Sequence, residues 1–67
     1  MKVTINGKAR ETPGGSTVDD VVRELSPAND RGLAVAVNGE VVPRYRWAVT
    51  PLGEGDSIEI LTAVQGG

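Results

Sequence analysis

Residues 33–42 carry the sequence LAVAVNGEVV, which predicts two β-strands joined by a two-residue turn. Residues 33–37 form a continuous apolar run of strand length. Asn38-Gly39 is a strong hairpin signal, because both central residues of a type I′ turn need positive φ. Pro43 ends the second strand and predicts that this strand lies at an edge of the sheet, since proline donates no ladder hydrogen bond.

A second hairpin is predicted at the start of the chain, where Asn6-Gly7 follows the alternating strand of residues 2–5. Residues 8–12 form its weakly apolar return strand, which we also expect at an edge. Residues 57–63 alternate again and predict the last strand, with its two isoleucines facing inward. The chain therefore predicts strands in two local pairs and one further strand.

One amphipathic helix is predicted between the two hairpins. Thr17 is the expected N-cap, with Ser16 as the alternative, and two aspartates follow where the helix dipole favours negative charge. Pro27 is expected to end the helix, because proline disfavours helical backbone at the preceding residue. The apolar stripe that we expect to face the core consists of Val18, Val21, Val22 and Leu25.

The chain contains one tryptophan, in the segment between the second hairpin and the last strand. Residues 44–52 predict irregular structure or one short helical turn, and residues 53–56 a tight turn. We expect Trp47 to plug the bottom of a small core, with its indole N–H at the rim, and keep ligand stacking as the alternative. One helix and one sheet then predict an α+β roll.

The sheet face away from the helix is expected to be partly open and apolar. The small or apolar residues placed there by the strand alternation are Ala34, Ala36, Leu61 and Ala63. Such a face on so small a protein indicates a docking surface, and ordinary scattered apolar residues are the alternative explanation.

Composition argues against several classes of function. The chain of 67 residues contains no His and no Cys, so the commonest general base and metal ligand are both missing. Self-contained hydrolytic or metal chemistry is therefore not expected. The net charge of −2 and the lack of a basic cluster argue against nucleic acid as a partner. No apolar run suits a signal peptide or a membrane span, which predicts a cytoplasmic protein with no membrane contact.

The sequence ends in Val64-Gln65-Gly66-Gly67. Because glycine has no Cβ, Gly66 and Gly67 can pass through a narrow channel and leave the α-carboxylate open to an activating enzyme. An inert end is the alternative. We expect residues 1–63 to form a single domain and residues 64–67 to form a flexible tail.

Together these residues resemble the ThiS family, the sulfur carriers of thiamine thiazole biosynthesis. The resemblance rests on residues 37–44 (VNGEVVPR), on Trp47 and on residues 62–67 (TAVQGG), whereas the N-terminal half matches only in pattern. It implies the β-grasp, or ubiquitin-like, fold, with one main helix on one face of a mixed sheet of about five strands. In that fold the first and last strands lie side by side and parallel.

The resemblance also implies a mechanism in which the chain is a protein co-substrate and not an enzyme. An E1-like adenylyltransferase of the ThiF type would use ATP to adenylate Gly67, and a persulfide donor would then supply sulfur to form a thiocarboxylate. A thiazole synthase of the ThiG type would accept the sulfur. The chain itself would bind no cofactor. The expected contacts with these partners are Leu61, Ala63, Val64, Gln65 and Gly66.

Three other functions remain open at this point. The small subunit of molybdopterin synthase is similar in fold and Gly-Gly end, although the Ala-Val-Gln-Gly-Gly ending and short length favour thiazole synthesis. A ubiquitin-like modifier would form isopeptide bonds with target lysines instead of a thiocarboxylate. A plain interaction module would keep its function without the two terminal glycines.

Overall fold

A mixed five-stranded sheet with one α-helix against it makes up the part of the chain that the computed structural model describes, residues 1–25 and 32–62. The elements are β1 (Lys2–Ile5), β2 (Lys8–Glu11), α1 (Val18–Leu25), β3 (Leu33–Val37), β4 (Glu40–Val42), a 3₁₀ helix (Arg44–Val49) and β5 (Ser57–Thr62). The strands and the helix agree with the sequence predictions to within one residue at the ends that are described, and the 3₁₀ helix ends three residues before the end of the predicted segment 44–52.

The strand order is β2-β1-β5-β3-β4, so the last strand of the chain is the middle strand of the sheet. β5 is parallel to β1, with Thr4 opposite Ser57 and Ile5 opposite Ile58. It is antiparallel to β3 on its other side. The parallel first and last strands that the family resemblance implied are confirmed, as are the edge positions of β2 and β4.

Both hairpins turn through an Asn-Gly pair with positive φ at each residue. The φ angles are 51° and 85° at Asn6 and Gly7, and 52° and 86° at Asn38 and Gly39. These values confirm the predicted type I′ geometry, whose twist matches that of the flanking strands.

The start of α1 confirms the predicted N-cap. The Asp20 amide donates to Thr17 Oγ1 at 3.3 Å, and the Thr17 amide donates back to Asp20 Oδ2 at 2.9 Å. This reciprocal pair is a capping box with Asp in place of the usual Glu. Ser16, the alternative cap, donates to the Pro13 carbonyl at 2.6 Å instead.

One residue of the predicted helix stripe departs from expectation. The three valines of the stripe are at most 2% exposed, whereas Leu25 is 37% exposed. Leu25 is the last residue of α1 and borders a surface cleft shared with Lys8 and Arg10 of edge strand β2. The sheet ends there, so no further strand covers the leucine. Pro27, the predicted helix stop, lies outside the described residues.

The core between α1 and the sheet is built mostly from valine and is closed at one end by Trp47. The indole is 2% exposed, and its Nε1–H donates to the Val42 carbonyl at 2.9 Å. The predicted role as a plug of the core is therefore confirmed, and no exposed ring face is left for ligand stacking. The buried apolar residues are Val3, Ile5, Val18, Val21, Val22, Val35, Trp47, Leu52 and Ile58.

Candidate functional site

The candidate site is the C-terminal end of β5 and the residues that follow it. β5 ends at Thr62, and residues 63–67 continue directly from it. Of the predicted site residues, Leu61 is described as part of β5. The others lie outside the described residues, namely Ala63, Val64, Gln65, Gly66 and Gly67.

β5 pairs with β3 from Ile58 to Thr62 and with β1 at Ser57 and Ile58. Its register with β3 runs from Val37 opposite Ile58 to Leu33 opposite Thr62. Ile58 points into the core and is 1% exposed. Pairing on both edges and burial of one face together make β5 a rigid base for whatever follows it.

The first hairpin turn contacts β5 through a side chain as well as through the backbone. The backbone N–H of Asn6 donates to the Ile58 carbonyl at 2.9 Å. Asn6 Oδ1 accepts from the Ile60 N–H at 2.8 Å, and Asn6 Nδ2 donates to the Ile60 carbonyl at 3.2 Å. Sequence analysis identified Asn6 only as a turn residue, because its role depends on the β1–β5 pairing.

The second hairpin turn holds the other end of β5 in a similar way. The Asn38 N–H donates to the Ser57 carbonyl at 2.7 Å, and Asn38 Oδ1 accepts from the Ser57 N–H at 2.9 Å. Asn38 Nδ2 donates to Asp56 Oδ1 at 3.0 Å, and Asp56 Oδ2 accepts from the Gly53 N–H at 2.7 Å. The turn that leads into β5 is thereby tied to the β3–β4 hairpin.

The sheet face away from α1 carries an apolar surface beside the end of β5, which we call the open-face patch. Ala34 lies opposite Leu61, and Ala36 lies opposite both Val41 and Glu59, so these residues form two adjacent rows on one face. Leu61 is 60% exposed and Val41 is 76% exposed. The predicted apolar open face is confirmed for its described members. The open-face patch consists of Ala34, Ala36, Val41 and Leu61, and the charged Glu59 lies beside it in the row of Ala36 and Val41.

Val41 is a member of this patch that sequence reasoning did not name. The signal was available, because Val42 packs against the core and Val41 is its neighbour in a strand. Successive side chains of a strand point to opposite faces, so an inward Val42 places Val41 outward.

Within residues 1–25 and 32–62, no three His, Cys, Asp or Glu side chains are placed so that they could hold a metal ion. No helix in the same part of the chain is long and apolar enough to cross a membrane.

Comparison with known proteins gives consistent matches along the chain. The model of the ThiS family matches residues 3–67. The chain is 31% identical to the sulfur carrier protein ThiS of Escherichia coli (strain K12) over 67 residues, which covers all of this chain and all of that protein. It is also 36% identical to the thiazole synthase of Paramagnetospirillum magneticum, again over all 67 residues, but these make up only 20% of that protein.

Two solved structures have the same fold. The crystal structure of the thiamine biosynthesis protein ThiS from Geobacter metallireducens has a TM-score of 0.85 and 30% identity, with both chains covered completely. The solution structure of a thiamine biosynthesis protein from the same organism has a TM-score of 0.77 and 32% identity, covering all of this chain and 88% of the other. With the family model matching almost every residue and the β-grasp topology shared, the chain belongs to the ThiS family.

Proposed function

We propose that this chain, a sulfur carrier of thiamine biosynthesis, holds its sulfur as a thiocarboxylate on Gly67. The observation that carries the proposal is the position of β5, which is paired on both sides and leads directly into residues 63–67. Fully extended, these residues would span roughly 17 Å at most. That reach lets Gly67 enter a partner's active site while the sheet stays outside.

The proposed chemistry needs a partner because a carboxylate is a poor electrophile. An E1-like adenylyltransferase of the ThiF type would let a Gly67 carboxylate oxygen attack the α-phosphate of ATP, releasing pyrophosphate. The terminal sulfur of a persulfide would then displace AMP from the acyl adenylate. A thiol would reduce the resulting acyl disulfide to the thiocarboxylate, a soft nucleophile similar in role to a Cys thiolate.

A thiazole synthase of the ThiG type is the proposed acceptor of the sulfur. The similarity to a stretch of the Paramagnetospirillum thiazole synthase supports this partner, since a carrier-like segment and a synthase there belong to one polypeptide. Attachment of the two would raise the effective concentration of the carrier's end at the acceptor site.

The division of labour along the chain follows from this proposal. Residues 1–63 form the folded domain that partners recognise, and residues 64–67 form the tail that reacts. Val64 and Gln65 carry no charge and suit capture as an extended strand in a groove. Gly66 leaves space beside the reacting carbonyl of Gly67. The chain is thus a recycled co-substrate, and ATP is consumed by its partner.

Incubation with an E1-like partner, ATP and a sulfide source tests the proposal. Intact mass should show the exchange of one oxygen for one sulfur, and fragmentation should confine the change to the terminal peptide. A covalent conjugate with a target lysine would instead support the ubiquitin-like modifier. Transfer of the sulfur to a molybdopterin synthase but not to a thiazole synthase would contradict the thiazole assignment.

Truncation of Leu61 tests the open-face patch as the docking surface for these partners. Leu61→Ala should raise the dissociation constant for the adenylating partner by about fivefold or more, as expected for a contact residue worth about 1 kcal/mol. Because Leu61 is 60% exposed in the free chain, the free energy of unfolding should change by only about 0.5 kcal/mol. Isothermal titration calorimetry and urea unfolding give the two values.

Val49→Ala is the matched control for this prediction. Val49 is 68% exposed and belongs to the 3₁₀ helix, outside the open-face patch. Its truncation should leave the dissociation constant unchanged. Equal effects of the two substitutions would show that the patch has no special part in docking.

A further inference from the structure

The Asn6 side chain extends the pairing between β1 and β5 beyond the end of β1. β1 ends at Ile5, opposite Ile58, and the chain turns away at Gly7. The Asn6 carboxamide then takes the place of the next peptide group, accepting from the Ile60 N–H at 2.8 Å and donating to the Ile60 carbonyl at 3.2 Å. The reverse rotamer would set Nδ2 against the Ile60 N–H, so the hydrogen bonds determine the amide orientation.

We call these two hydrogen bonds between the Asn6 side chain and the Ile60 backbone the clamp. The clamp lies near the C-terminal end of β5, two residues before Thr62. Leu61 and Thr62 still pair with β3, but Ile60 is the last residue of β5 whose contact with the β1 side is described. Loss of the clamp would leave the end of β5 held from the β3 side alone. Each residue released from a single backbone conformation gains conformational entropy, which must be lost again when the tail is ordered.

We propose that Asn6 is a positioning residue for the reaction at Gly67, acting through Ile60; this rests on the function proposed above. The clamp fixes the direction in which the chain leaves the sheet. A partner that has docked on the folded domain therefore meets the end of β5, from which the tail starts, in a narrow range of orientations. Without the clamp, docking persists, but a smaller fraction of docked carriers places Gly67 at the reacting phosphate.

Asn38 provides a matched comparison within the same chain. It occupies the same position of the same turn type, with φ 52° against 51° for Asn6. Its side chain also accepts from a β5 amide, that of Ser57 at 2.9 Å. The two asparagines differ in the part of β5 that they contact: Asn38 holds the start of the strand, and Asn6 holds its end.

Asn6→Gly and Asn38→Gly remove each side chain without forcing a strained backbone, since glycine accepts positive φ freely. Steady-state adenylation is measured with the E1-like partner and ATP, with the full-length carrier as the varied substrate. For Asn6→Gly we expect kcat to fall about three- to tenfold while the KM for the carrier stays within about twofold. For Asn38→Gly both constants should stay within about twofold of the wild type.

Amide hydrogen exchange tests the clamp without any partner. Exchange at the Ile60 amide should be about tenfold or more faster in Asn6→Gly and unchanged in Asn38→Gly, whereas the Ser57 amide should show the opposite pattern. Asn6→Asp keeps the acceptor for the Ile60 N–H and loses the donor. It should therefore fall between Asn6→Gly and the wild type in both measurements, and it serves as the test should the glycine variant fail to fold.

This inference alone would be overturned by unchanged Ile60 exchange in Asn6→Gly or by equal losses of kcat in the two glycine variants. A rise in KM with constant kcat would also overturn it, because Asn6 would then act in docking. Failure of the wild type to be adenylated would overturn the proposed function and the inference with it, whereas the Ile60 exchange would still report the clamp.

Discussion

Removal of Gly67 abolishes sulfur loading of the chain and leaves the folded domain intact; this is the largest functional effect that we expect. The new terminal carboxylate, on Gly66, would stop one residue short of the reacting phosphate. Since reactive groups must lie within about 3–3.5 Å of each other, a shortfall of one residue, roughly 3.3 Å, removes the reaction almost completely. Intact mass after incubation with the E1-like partner, ATP and sulfide measures the loading.

Gly66→Ala tests the same site with a partial loss of adenylation instead of a complete one. The added Cβ lies beside the reacting carbonyl and should slow adenylation sterically while the length of the tail stays the same. Gly14→Ala is the control, because it is the same substitution in a loop outside the tail, where an added Cβ meets no atom within 4 Å. Sulfur loading of the chain without Gly67 would refute the proposed site, and normal adenylation of Gly66→Ala would refute the steric role of Gly66.

Trp47→Ala should remove a large part of the free energy of unfolding, which is the largest effect on stability that we expect. Replacement of a buried Trp by Ala costs about 3–5 kcal/mol. A domain of 67 residues has a total stability of roughly 3–10 kcal/mol. The buried core cluster to which the indole belongs is mostly valine, whose stiff, short side chains fill a large cavity poorly. Urea unfolding followed by circular dichroism measures the loss.

Two further substitutions of aromatic residues should lower the free energy of unfolding by less than Trp47→Ala does. Trp47→Phe keeps an aromatic ring in the core and removes the donor to the Val42 carbonyl, so it should cost about 1–3 kcal/mol. Tyr45→Ala removes an aromatic ring that is 85% exposed and should stay within about 0.5 kcal/mol. A cost below about 1 kcal/mol for Trp47→Ala would contradict the role of the indole as the plug of the core.

Sequence reasoning succeeded where local chemistry decides the structure. The two Asn-Gly turns, the Thr17 cap and the edge position of β4 before Pro43 each depend on a few adjacent residues. The pairing of β1 with β5 joins residues more than fifty positions apart, and no periodicity records such a partner. The family resemblance supplied that pairing.

The parts of the site that sequence reasoning missed depend on that distant pairing or on the limits of the sheet. The contact between Asn6 and Ile60 exists only because β5 lies beside β1. The exposure of Leu25 follows from where the sheet stops, which the helix stripe does not show. Leu61, in contrast, was placed on the open face correctly, because strand alternation alone determines its side.

The central position of β5 has a consequence for synthesis on the ribosome. The two hairpins, β1–β2 and β3–β4, emerge before β5, and each alone is a two-stranded ribbon of marginal stability. Until β5 is inserted, β1 and β3 both present unpaired edges toward an empty slot, which invites pairing with other nascent chains. The strand that closes this slot also carries the reactive tail. Insertion of β5 therefore covers the two exposed strand edges and fixes the strand that precedes the reactive tail in the same folding step.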